Sequence, residues 1–97
     1  MWKALHRAGI CDDEVQLVYV VQAGEDGPLK IGRVAGLDLL LPRLRKLQTA
    51  CAYPVLVRRV LLGDADAERK LHRRFTRARM QGEWFKPTPT LERFAAG

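Results

Sequence analysis

A chain of 97 residues is the size of one domain and too short for two independent cores. Hydrophobic residues make up 47% of it and charged residues 29%, a balance that excludes disordered and fibrous proteins. A formal net charge of +6 points to a polyanionic partner, because clustered Lys and Arg gain affinity for phosphate by releasing counterions.

Residues 1–14 read as an N-terminal extension, with a short helix over residues 1–10 carrying Trp2, Leu5 and Ile10 on one side. Asp12, Asp13 and Glu14 interrupt it, and a domain of residues 15–97 follows. Val15 to Ala23 is the clearest strand, rich in Val and bracketed by Gln16 and Gln22. The run Gly24-Glu25-Asp26-Gly27-Pro28 is a turn, and Leu29 to Val34 is the returning strand of a hairpin. Asp38 is placed to cap a helix, with Pro42 in its first turn. Leu40, Leu44, Leu47 and Cys51 then recur at helical spacing until Pro54. Val55 to Leu62 predicts a third strand, broken by Gly63. Asp64 or Asp66 caps a second helix whose buried stripe is Ala67, Leu71, Phe75 and Ala78. Gln81-Gly82 turns the chain into a candidate short strand over Glu83 to Lys86, and Leu91 to Ala96 reads as a last short helix. The fold class is α/β in the α+β sense: a small three-stranded antiparallel sheet flanked by helices.

The basic residues are unevenly spread. Arg43, Arg45 and Lys46 form one group, and Arg58, Arg59, Arg69, Lys70, Arg73, Arg74, Arg77 and Arg79 a denser one, while Asp12, Asp13, Glu14, Glu25 and Asp26 lie upstream. This polarity predicts contact with nucleic acid. Cys11 and Cys51 are too few for a disulfide framework and read as reduced core residues. The spacings of His6, Cys11, Cys51 and His72 match no paired zinc-ligand pattern. No apolar run is long enough to span a bilayer, and the N-terminus lacks an apolar signal core, so the expected location is cytoplasmic, away from membranes.

Four pieces occur in order: Val18-Tyr19-Val20, then Lys30-Ile31-Gly32, then Arg43-Leu44-Arg45-Lys46-Leu47, and a final stretch from Glu68 through Leu71-His72 and Phe75 to Gly82-Glu83-Trp84-Phe85. Over about residues 15–87 this series resembles the GIY-YIG nuclease superfamily, in its short phage and bacterial branch with KIG as second motif and GEWF near the end. The resemblance implies a metal-dependent endonuclease acting on DNA. It puts Tyr19, Lys30, Arg43 and Glu68 in the catalytic site, with Glu68 as the carboxylate for Mg2+ or Mn2+. A phenol there orients or deprotonates a water, an ammonium and a guanidinium hold phosphate, and a lone carboxylate suits a hard cation. Arg45 is the register-shifted alternative to Arg43. His72, four residues after Glu68, either contacts phosphate or caps the packing of Phe75. Arg45, Lys46, Arg69, His72, Arg73, Arg74 and Arg77 are the expected nucleic-acid contacts. Glu83, Trp84 and Phe85 read as structural, with base stacking an alternative for Trp84. The chain departs from the family's pattern at Lys30, at Leu47 and in lacking any Asn. The alternative is therefore a catalytically weak or inactive nucleic-acid-binding module. Specificity would come from a partner protein or a fused domain; oligomeric state stays open.

Overall fold

The strand β1, Leu17–Ala23, is buried along its whole length. Its apolar residues do not alternate with polar ones because both sides of it are covered. Leu17, Tyr19 and Val21 join Val34 in one core, and Val18 and Val20 lie in a second core on the opposite face. The computed structural model describes residues 16–97. The expected extension over residues 1–14, with its short helix, lies outside them.

β2, Leu29–Val34, returns antiparallel to β1, with Tyr19 opposite Gly32 and Val21 opposite Lys30. Gly24 supplies the positive φ of 75° that the connecting turn needs. β3, Val55–Leu62, pairs antiparallel with the other side of β1, with an irregularity between Val20 and Val21. The sheet has four strands, in the order β3-β1-β2-β4, and not the expected three. The fourth, β4, is only Trp84–Phe85 and pairs with Leu29 and Lys30. It falls within the candidate short strand over Glu83 to Lys86, and two residues carry too little periodicity to assign that strand to the sheet.

Helix α1, Leu40–Thr49, covers the Tyr19 face with Leu40, Leu44 and Leu47. Helices α2, Ala65–Arg74, and α3, Pro89–Ala96, cover the other face with Ala67, Leu71, Leu91, Phe94 and Ala95. Phe75 and Ala78 complete the α2 stripe from beyond its last turn. The result is a sheet between two helical layers. Each fully buried aliphatic side chain, such as Leu17, Ile31 or Leu91, contributes roughly 1.5–3 kcal/mol.

The caps follow local chemistry. Asp64 starts α2, its Oδ1 accepting the Ala67 N–H at 3.0 Å. Thr88 starts α3, its Oγ1 accepting the Leu91 N–H at 3.3 Å. Asp38 does not cap α1. It sits inside a 3-10 turn, Leu37–Leu39, which satisfies the Leu39 N–H on the Gly36 carbonyl and leaves α1 without a side-chain cap. α1 also ends well before Pro54, closed by Ala50 N–H on the Lys46 carbonyl and Cys51 N–H on the Gln48 carbonyl. Cys51 is therefore half-buried past the helix and not part of its stripe.

Candidate active site

Tyr19 and Gly32 face each other across β1 and β2. A Cβ on Gly32 would stand 2.4 Å from both Cζ and the hydroxyl oxygen of Tyr19. Glycine is therefore required here by space: the phenol tip lies over Gly32 and is directed to the outer rim of β2. Tyr19 is fully buried, and its hydroxyl has no hydrogen-bond partner among the described residues. Burial pushes its pKa above the ordinary value. The guanidinium of Arg43, which approaches without closing a hydrogen bond, opposes that rise, and the carboxylates of Glu83 and Glu68 add to it.

Each of these charges is delivered by a different element. Arg43 lies on α1 between the partly buried positions Leu40, Leu44 and Leu47, so it leans toward the sheet while staying exposed. Arg45 and Lys46 are exposed on the outer side. Arg43, and not Arg45, is the helix arginine that acts on Tyr19. Lys30 stands on the same sheet face as Tyr19, with its Nζ 3.5 Å from Glu83 Oε2 and 5.6 Å from the centre of the Trp84 ring.

Glu68 reaches the rim from α2. His72, one turn later, donates its Nε2–H to the Ile31 carbonyl at 2.9 Å and sets its ring edge-on to Phe85 at 5.2 Å. That bond ties α2 to the edge of β2 where β4 stops. His72 thus packs on Phe85, and one ring nitrogen is committed to backbone. Glu68 is half-buried. Burial and the neighbouring Glu83 carboxylate push its pKa up, against the charges of His72, Arg33 and Lys30.

Tyr19, Lys30, Arg43 and Glu68 are therefore brought to one rim, around Gly32. Two further residues join them that sequence reasoning did not assign to a site. Glu83 faces Lys30 and acts on both Glu68 and Tyr19; Arg33 acts on Glu68 and donates to Gln16 Oε1 at 3.1 Å. The signal for Glu83 was its place beside Trp84, the cross-strand partner of Lys30.

The model of the T5orf172 domain family matches residues 16–93. The chain belongs to that family. No curated protein and no solved structure matches the chain. The GIY-YIG assignment drawn from the motifs is corrected by this result: the matching family is a different one, and no GIY-YIG model matches. The motifs behind that assignment are short pieces, and Val-Tyr-Val or Lys-Ile-Gly alone is ordinary strand sequence. T5orf172 domains are nuclease-associated, DNA-binding modules, which agrees with action on nucleic acid.

The basic residues of this T5orf172 domain divide by use. The Arg74 guanidinium lies 4.9 Å from the Phe75 ring centre and 5.3 Å from that of Phe94. Arg59 stacks 4.7 Å from Phe94 and donates to its carbonyl at 2.9 Å. These two stitch α3 onto the domain. Arg69 is paired with Asp66. Arg73 and Arg77 are exposed with no partner among the described residues, and so are Arg45 and Lys46.

No group of three or more His, Cys, Asp or Glu side chains gathers as a metal site among the described residues. His6 and Cys11 of the nominal zinc set lie outside them. Two carboxylates beside an orphaned buried hydroxyl do fit a hard divalent cation, which keeps several waters and asks little of the protein. A recess of about 420 Å3 opens on the opposite face of the sheet, lined by Gln22, Arg58 and Glu92 among others, and shares no residue with this rim. Among the described residues, no helix is long and apolar enough to cross a membrane.

Proposed function

We propose that this domain is a metal-dependent endonuclease that hydrolyses phosphodiester bonds in DNA. One observation carries the reading: a fully buried tyrosine hydroxyl, without a partner among the described residues, lies at a glycine-cleared rim within reach of the charges of an arginine and two carboxylates. Leaving a buried hydroxyl unbonded costs about 1–3 kcal/mol, a cost that native proteins accept mainly where function needs the group. Hydrolysis needs an oriented water, charge stabilisation on phosphate and help for the leaving oxygen. Arg43 offers a fork of donors to phosphate oxygens, and Lys30 offers a point charge. Tyr19, a phenol neutral at pH 7 and held more firmly so by burial, orients the attacking water as donor or acceptor and accepts its proton only when nearby positive charge lowers its pKa. Glu68 would hold Mg2+ or Mn2+, which when bound polarises the phosphate and stabilises the leaving oxygen. Since the hydroxyl is sealed, substrate access requires side-chain movement around Gly32.

Incubating the protein with plasmid DNA and Mg2+ or Mn2+, beside Glu68→Ala, tests the reading. Cleavage by the parent protein alone is expected. No cleavage, or equal cleavage by both, overturns it.

The sealed hydroxyl and the sparse ligand set favour one second reading, a nucleic-acid-binding module without catalysis. It predicts metal-independent binding that weakens steeply with salt.

A further inference from the structure

Glu83 stands out among the residues at the rim. Its backbone is held from two directions: its carbonyl accepts the Ile31 N–H at 3.2 Å, and Arg79 Nε donates to the neighbouring Gly82 carbonyl at 2.8 Å. The next residue, Trp84, is registered against Lys30. The backbone of Glu83 is thereby fixed beside the Ile31–Gly32 edge, where the Tyr19 hydroxyl lies over Gly32. Among the described residues the Glu83 carboxylate pairs with Lys30 at 3.5 Å, and the same ammonium also lies over the Trp84 ring.

Glu68 stands one turn before His72, which binds the Ile31 carbonyl, and Glu83 binds the Ile31 N–H, so two carboxylate-bearing residues from distant parts of the chain flank the same residue of β2. The fully buried Tyr19 hydroxyl, without a partner among the described residues, lies over the adjacent Gly32. Two like charges next to an unsatisfied oxygen are an arrangement that a small divalent cation relieves. Resting on the hydrolytic reading above, we propose that Glu83 is the second carboxylate of a Mg2+- or Mn2+-binding site shared with Glu68, and that Lys30 is its counter-ion until a nucleic-acid phosphate draws Lys30 away. Lys30 then has two successive partners: the Glu83 carboxylate in the free protein and a phosphate oxygen in the complex.

The test is calorimetric titration of the full chain with Mn2+ alone, without nucleic acid. The parent protein is compared with Glu68→Gln, Glu83→Gln and Lys30→Met, each checked for folding by its thermal melt. Glu68→Gln and Glu83→Gln are each expected to weaken Mn2+ binding about tenfold or more, the scale of losing a group that supports a metal site. Lys30→Met is expected to tighten it, because the competing ammonium is gone. Glu83→Gln binding Mn2+ as the parent does would overturn the proposal, as would the absence of Mn2+ binding by the parent. Should Glu83→Gln not fold, Lys30→Met decides: unchanged or weaker Mn2+ binding overturns it. Plasmid cleavage that still depends on Glu68 while Glu83→Gln binds Mn2+ normally would sink this inference and leave the hydrolytic reading standing.

Discussion

Tyr19→Phe separates a functional hydroxyl from a structural one by the sign of a stability change. The phenol oxygen is fully buried and unpartnered among the described residues. An ordinary buried tyrosine whose hydroxyl is bonded loses about 0.5–1.5 kcal/mol when that bond is removed. Here there is no bond to lose, and removal relieves a burial cost of about 1–3 kcal/mol. The nearby Arg43 guanidinium offsets part of that cost, so the expected gain is ~1 kcal/mol. For a domain of this size that raises Tm by roughly 4–8 °C. Urea or thermal unfolding at pH 7, followed by circular dichroism, reads the change, and a metal-dependent plasmid assay on the same preparations reads activity. The expected result is a more stable protein that no longer cuts. A loss of stability of 1 kcal/mol or more would refute the reasoning, since it would mean that a water or side chain already satisfies the hydroxyl.

Gly32→Ala should be costly, because the added methyl meets the buried Tyr19 ring 2.4 Å away; overpacking of this kind costs about 1–3 kcal/mol, read by urea unfolding, and cleavage should fall with it. Glu68→Gln should be more stable than the parent at pH 7. The folded-state pKa of Glu68 is raised, so the native protein holds that proton to higher pH than the unfolded chain does. Stability is therefore lost as pH rises through the window just above the ordinary carboxylate pKa, and the gap between the two proteins should close when pH falls below that window. Thermal melts from pH 4 to 7 check this, and a gap that persists or grows at low pH contradicts it. Arg73→Glu with Arg77→Glu should weaken DNA binding at every sequence and flatten its salt dependence, with Tm nearly unchanged. Arg74→Ala should instead lower Tm, because its guanidinium is stacked on Phe75 and Phe94.

Local pattern made most elements legible. β2 over Leu29–Val34, β3 over Val55–Leu62 and the apolar stripe of α2 were readable from runs and periodicity, because each buries a regular face. The Asp64 cap was readable as a side-chain acceptor placed just before that stripe. The start of α1 was not, because backbone bonds within the Leu37–Leu39 turn replaced the expected aspartate cap. The candidate short strand over Glu83 to Lys86 was readable and holds β4, but its place in the sheet beside β2, and with it the role of Glu83, was not. A two-residue strand is specified by its partner Lys30 on a distant segment and not by its own sequence. The family assignment failed for a related reason: short motifs of common residues identify a strand or a helix flank more readily than a lineage.

The convergence of Tyr19, Lys30, Arg43 and Glu68 has a topological cause that no single motif contains. β4 pairs with β2 only at Leu29 and Lys30 and then leaves the sheet. The edge beyond it is taken up by Glu83 on the Ile31 N–H and by His72 on the Ile31 carbonyl, two bonds from two different segments. A longer β4 would continue the ladder past Gly32 and occupy the rim with backbone. Its brevity lets α2 approach the edge from one face, and α1 lowers Arg43 from the other. Gly32 is the position at which a side chain from the inner strand can cross to meet both. The charges thus gather at the point where the sheet runs out of strands, and the inward-facing hydroxyl of Tyr19 is the one group there whose hydrogen-bonding need the described residues leave open.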